Sequence, residues 1–127
     1  QDCGNSLNEN IDIGQIEGGF IQGLGWLTCE ELYFSKEGKL LTTGPSTYKL
    51  PGSRDVPSIF NVKLLENADN DEKTIFRSKA VGEPPLLLAI SHFLALKEAI
   101  KASLPSSKAE LLNSPATPSE ILKAIYA

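Results

Sequence analysis

Two consecutive prolines, Pro84 and Pro85, divide this chain more firmly than any other feature in it. Neither can donate a backbone hydrogen bond, so no helix interior and no central strand runs through them. The first turn of a helix tolerates them, because its amides lack partners in any case. An apolar run begins at Leu86, and the spacing predicts a helix over residues 86–102. Leu86, Ile90, Phe93, Leu94 and Ile100 share one broad face of it. Ahead of the prolines stands Ser78-Lys79-Ala80-Val81-Gly82-Glu83. Gly82 allows a turn with no side chain in the way, and Pro84 biases Glu83 toward an extended backbone. Glu83 is therefore a carboxylate in a restricted geometry at the mouth of a helix. Burial among Val81, Leu86 and Leu87 would disfavour its charge, and the helix N-terminus would favour it. A carboxylate balanced in this way can be ionised and still accept a proton, as a general base must. The plainer use of the same residue is a surface helix cap.

A second constrained stretch precedes it. Asp12 is expected as the N-cap of a helix reaching about Leu32, with Ile13, Ile16, Phe20, Leu24 and Leu27 in one stripe. This segment holds five glycines, each about 1 kcal/mol worse than alanine in a helix. Something must come close to its backbone. At 100° per residue Gln15, Gly19 and Gln22 fall on one line. Two uses fit: tight packing against a neighbouring element, or a ligand lying on the flat face and bonded by the Gln15 amide, which both donates and accepts.

The remaining signals predict an α+β fold: a glycine-rich helix, a β-hairpin and further strands, a long amphipathic helix and a short C-terminal helix. The hairpin is expected from residues 32–34 and 39–42 around Ser35-Lys36-Glu37-Gly38. Residues 60–64 alternate with period two, and residues 74–77 form another strand candidate. Thr117, Pro118 and Glu120 mark the start of the last helix. The 127 residues suit one domain, residues 1–127. A net charge of −4 gives no footprint for nucleic acid. No apolar run has the length of a membrane span, and no signal peptide opens the chain. Cys3 and Cys29 lack paired-motif spacing and read as reduced thiols of a cytoplasmic protein. They cannot supply the four ligands of an iron–sulfur cluster. His92, the single histidine, lacks acidic or thiol neighbours at helical spacing, so no metal ligand is assigned. The opening Gln1-Asp2-Cys3, without a methionine, suggests a piece of a longer polypeptide.

Three motifs together carry a family resemblance. Ser78-Lys79-Ala80-Val81-Gly82-Glu83-Pro84-Pro85 resembles the active-site loop of the molybdenum hydroxylases, the xanthine dehydrogenase and aldehyde oxidase family. Asp12-Ile13-Gly14-Gln15-Ile16-Glu17-Gly18-Gly19-Phe20 and Gly44-Pro45-Ser46-Thr47-Tyr48-Lys49 are similar to segments of the same family. Asn8-Glu9-Asn10 departs from it, where a proline usually follows the asparagine. The forms of the motifs resemble the xanthine dehydrogenase branch most, and bacterial enzymes with a separate molybdopterin-binding subunit in particular. The resemblance implies a C-terminal fragment of that subunit's molybdopterin-binding domain, with Glu83 as catalytic base and Gln15 and Gly82 beside the cofactor. It implies oxidation of hypoxanthine and xanthine to urate, or alternatively of an aldehyde. Electrons would pass to 2Fe-2S clusters, FAD and NAD on other domains or subunits of an oligomeric enzyme. The isolated fragment would be inactive. A non-catalytic interaction domain, docking through the glycine-rich helix, is the reading from a different class.

Overall fold

The computed structural model describes residues 1–127, and three α-helices carry its regular structure. Helix α1, Glu9–Thr28, starts at Asn8 rather than at Asp12. Asn8 is extended, and its side chain accepts from the Ile11 amide at 3.2 Å, an N-cap one turn earlier than expected. Asp12 instead takes a hydrogen bond from the Ser6 hydroxyl at 2.6 Å. The helix ends at Thr28, where the amides of Cys29 and Glu30 both turn back to the Gly25 carbonyl.

The glycines of α1 and the double proline belong to one packing unit. Pro84–Ala89 winds as a 3₁₀ helix across α1, with Pro85 and Ala89 fully buried. A Cβ at Gly23 would stand 2.3 Å from the Leu86 carbonyl oxygen, and one at Gly19 would stand 3.0 Å from the Pro85 Cβ. No side chain fits at Gly23, and one at Gly19 would press tightly on Pro85. Backbone approaches backbone here, which explains two of the five glycines. Gly14 and Gly18 face open space instead.

Helix α2, Ile90–Ser103, continues from the 3₁₀ segment, and α3, Pro118–Tyr126, packs on it. Ile100, Ala109, Leu112, Ala116 and Ala124 form the buried cluster, with Phe93, Leu96, Ile121 and Ile125 around it. The Ala116 amide reaches the Leu27 carbonyl at 2.7 Å and ties this cluster to α1. Ile90 and Leu94 were expected on the packed face, yet they are 49% and 55% exposed. Thr117 does occupy the N-cap position of α3, but its hydroxyl pairs with that of Ser119 rather than with a helix amide.

The expected α+β architecture is overturned: the chain forms helices and no strand, and only two isolated antiparallel bridges occur, Gly4 with Ser78 and Phe34 with Leu40. At the expected hairpin the chain does reverse through Gly38, but pairing stops after the single bridge. Tyr33 and Phe34 are 61% and 55% exposed, so no layer covers the ribbon, and a lone two-stranded ribbon is marginal in water. Residues 60–64 form no strand, and their backbone partner is the single residue Gln1, whose amino group donates to the Lys63 carbonyl at 3.2 Å while the neighbouring Leu65 amide donates to the Gln1 carbonyl at 2.8 Å. Their alternation serves to seat the Phe60 ring 5.3 Å from that of Phe20. Residues 74–77 curl into the 3₁₀ turn Ile75–Arg77, with Phe76 and Arg77 at φ 50° and 59°, a left-handed pair that no strand accommodates.

A buried carboxylate just beyond the end of α1 helps hold the irregular middle of the chain. Glu30, 9% exposed, accepts a hydrogen bond from the Tyr48 hydroxyl at 2.6 Å. That bond, and then burial, push the Tyr48 phenol above its ordinary value near 10. A raised phenol stabilises the fold below its unfolded value, and the contribution is lost as pH rises through the folded one. Tyr48→Phe leaves a buried carboxylate oxygen without this donor. It is expected to lower the urea midpoint at neutral pH. An unchanged midpoint would show that water replaces the phenol without cost.

Candidate active site

Glu83 sits where α1 and the 3₁₀ helix converge, but its backbone and surroundings differ from expectation. Its φ of −90° and ψ of −42° are helical, not extended. The bias imposed by a following proline is a preference, and the tight turn bond from Leu86 N to Glu83 O at 3.1 Å outweighs it. The side chain is exposed rather than buried, since Leu87 stands 64% exposed beside it. Although Glu83 holds the N-cap position, its carboxylate caps none of the amides that follow. It opens into a cleft of about 380 Å³ lined by Gln22, Trp26, Gly82, Leu86 and Leu87.

Gln15 approaches Gly82, at the edge of this cleft, from the other end of the sequence. Its side chain is exposed on α1, and its Oε1 would lie 3.2 Å from a Cβ at Gly82. Gly82 is therefore a point where a side chain would press on the Gln15 amide, and its absence leaves a shallow cradle between them. Gly19, the middle of the Gln15–Gly19–Gln22 line, belongs to the packing interface, whereas Gln15 and Gln22 remain exposed. An exposed amide over a cradle without a Cβ suits the edge of a flat, polar ring system such as a pterin. No three His, Cys, Asp or Glu side chains converge to hold a metal ion.

The loop that carries Glu83 is fastened behind by residues the sequence reading did not single out. The Lys79 amide donates to the Cys3 carbonyl at 2.8 Å and the Asn5 amide to the Arg77 carbonyl at 3.2 Å. Between them lies Gly4, at φ 62°, where a Cβ would meet the Arg77 oxygen at 2.4 Å. Lys79 Nζ pairs with Asp2 Oδ2 at 2.6 Å, and Asp2 Oδ1 accepts from the Gly4 amide at 2.9 Å. The Lys79 bond first, then the Gly4 amide, hold the Asp2 carboxyl below the usual carboxylate range. An Asp two residues before a glycine is a recognisable turn signal. Its lysine partner, 77 residues away, has no local signature.

His92 lies half-buried by a separate hollow near Leu24, Thr28 and Ala116. Both cysteines are free. Cys3 is buried, and burial pushes its thiol up. The Cys29 thiol donates to the Lys49 carbonyl at 3.6 Å. A further apolar hollow of about 270 Å³, beside Leu32, Pro45, Tyr48 and Leu50, contains no residue of the Glu83 cleft.

Sequence and fold comparisons agree on the class. The family described as molybdopterin cofactor-binding domain matches residues 1–57, which include all of α1. In fold the chain is similar to quinoline 2-oxidoreductase from Pseudomonas putida 86, with a TM-score of 0.80 and 29% identity over 98% of this chain and 15% of that one. It shares its fold also with a Cu,Mo-CO dehydrogenase, at a TM-score of 0.77 and 18% identity. The chain belongs to the molybdenum hydroxylase family. Within that family it is 55% identical over 129 residues to xanthine dehydrogenase/oxidase of Felis catus. It is 50% identical over 137 residues to xanthine dehydrogenase 2 of Arabidopsis thaliana. These matches take in 97% and 98% of this chain, so both the Gln15 helix and the Glu83 loop fall inside them. The chain spans about a tenth of the length of these relatives. No helix in it is long and apolar enough to cross a membrane.

Proposed function

We propose that this chain is the C-terminal part of the molybdopterin-binding domain of a xanthine dehydrogenase-type hydroxylase, with Glu83 as its general base. The observation that carries the reading is the approach of Gln15 to Gly82, which lines one cleft with Glu83, from segments 67 residues apart in sequence. The Gln15 amide and the Gly82 backbone would hold the pterin edge, one by donating and accepting, the other by leaving room. When bound, the molybdopterin cofactor supplies the two-electron redox chemistry that side chains lack. Glu83, solvent-accessible and free of capping bonds, is available to take a proton as substrate is hydroxylated. The substrate class is a purine, hypoxanthine or xanthine, oxidised to urate.

The remainder of the enzyme would complete the site. Only 15 of 127 residues are buried, while large apolar side chains such as Trp26, Ile59, Phe76 and Leu87 are more than half exposed. Surfaces of that kind mark contacts with more protein. The rest of the molybdopterin-binding subunit would cover them, and 2Fe-2S, FAD and NAD sites would lie on further domains or subunits of a cytoplasmic oligomer.

The test is molybdenum analysis and turnover of the complete enzyme on xanthine, hypoxanthine and a simple aldehyde, with the 127-residue chain as control. Molybdenum in proportion to enzyme, urate from both purines and an inactive, metal-free isolated chain are expected. Turnover of the aldehyde with both purines inert would replace the substrate class by aldehydes. An enzyme without molybdenum would turn the reading toward a non-catalytic interaction domain.

A further inference from the structure

We propose that Asp2 and Lys79 are positioning residues for Glu83: their ion pair fixes the rear of the Glu83 loop and thereby sets the rate of proton transfer, without touching substrate or cofactor. The proposal rests on the reading of Glu83 as the base.

The loop takes its backbone hydrogen bonds at its two ends, and between them Gly82 only packs against Gln15 and Gly19. At the front, Pro85 is buried against Gly19 of α1. No backbone amide from Ala80 to Glu83 donates within the chain, so residues 80–83 have no ladder of their own. The rear hold joins the Gly4–Ser78 bridge, the side-chain bonds of Thr74 and Asn70 to the Ser78 carbonyl, and the grip on Lys79, taken by its amide on Cys3 O and by its Nζ on Asp2. Asp2 uses one oxygen for each partner, so it joins the lysine to the Gly4 turn as a single clamp. That turn has no slack, given the 2.4 Å approach of a Gly4 Cβ to Arg77 O.

The pair is poorly suited to a role in global stability. Its side chains are 32% and 39% exposed, and ion pairs of such exposure contribute little to folding. Its leverage is local, because Glu83 follows Lys79 by four residues along an otherwise unbonded segment. A general base works only within hydrogen-bond reach of its proton. A 1 Å misplacement can cost about 10²-fold in rate.

The experiment uses the complete enzyme with Asp2→Asn, Lys79→Met and the double variant. Reductive half-reaction rates with xanthine are expressed per molybdenum-loaded centre, beside melting temperature and amide exchange of the peptide over residues 80–83. Asp2→Asn keeps the acceptor for the Gly4 amide and replaces the oxygen that faces Lys79 with an amide nitrogen, which cannot accept its bond. Expected are a roughly 10-fold slower rate per loaded centre in each single variant, below the limit set by a 1 Å shift. The double variant should be no slower than either single, since both break one interaction. Exchange over residues 80–83 should quicken, with molybdenum content and melting temperature near wild type. A lower melting temperature or metal content with an unchanged rate per loaded centre would reduce the pair to a structural role and overturn the proposal. A wild-type rate in all three variants, with Glu83→Gln inactive, would overturn it and leave the base intact. A Glu83→Gln enzyme at the wild-type rate would remove the reading on which it rests.

Discussion

Glu83→Gln in the complete enzyme is expected to slow reduction of the molybdenum centre by xanthine by about 10²–10⁴-fold, the usual contribution of a positioned general base. Glutamine keeps the length and hydrogen-bonding reach of glutamate and removes the proton acceptor. The structural consequences should be small, because the side chain is exposed and caps no amide of the 3₁₀ helix it precedes. Exposed substitutions of this kind stay within about 0.5 kcal/mol. A capping acid would behave in the opposite way, with near-normal chemistry and a stability loss of about 0.5–2 kcal/mol. Stopped-flow reduction, molybdenum content and thermal melting therefore separate the two roles. Reduction at the wild-type rate would end the catalytic reading of the loop.

The parts of this fold written in local sequence were legible, and those depending on distant partners were not. Pro84 and Pro85 did open a helical segment, and Thr117-Pro118 did open another, because proline acts on its own backbone. The strands failed for a common reason. Residues 60–64 alternate as an extended segment does, but alternation reports which side faces apolar surface, not whether a second strand lies alongside. In residues 74–77 the β-branched and aromatic residues promised a strand, and side-chain bonds from Thr74 and Asn70 to the Ser78 carbonyl wrapped them into a turn instead. The site divides in the same way. Gln15, Gly82 and Glu83 stand in motifs that resemble a known family, so they could be named without knowing that Gln15 approaches Gly82. The clamp of Asp2 on Lys79 spans 77 residues and two unremarkable polar side chains, and only the fold brings it together.

The glycines of α1 give the second large effect, because the fold sorts residues that look equivalent in sequence. Gly23→Leu is expected to destabilise the protein by at least about 3 kcal/mol, at the upper end of overpacking costs. The new Cβ would meet Leu86 O at 2.3 Å, Ala89 Cβ at 2.8 Å and Leu86 C at 3.2 Å. Two of these are backbone atoms, which cannot swing aside as the tip of a long side chain does. Helix α1 and the 3₁₀ segment would have to separate, exposing Pro85 and Ala89, now fully buried. The better helix propensity of leucine offsets under 1 kcal/mol of this. Gly18→Ala should do the reverse and raise stability by up to about 1 kcal/mol, since nothing lies within 4 Å of a Cβ there. Urea titration of the two variants should thus move the midpoint in opposite directions. Equal midpoints would mean that the interface between α1 and Pro85 is looser than its distances indicate. The same separation would release the front anchor of the Glu83 loop, so in the complete enzyme Gly23→Leu should also lower the rate per molybdenum-loaded centre. Gly18→Ala, on the open side of the helix, leaves that anchor in place.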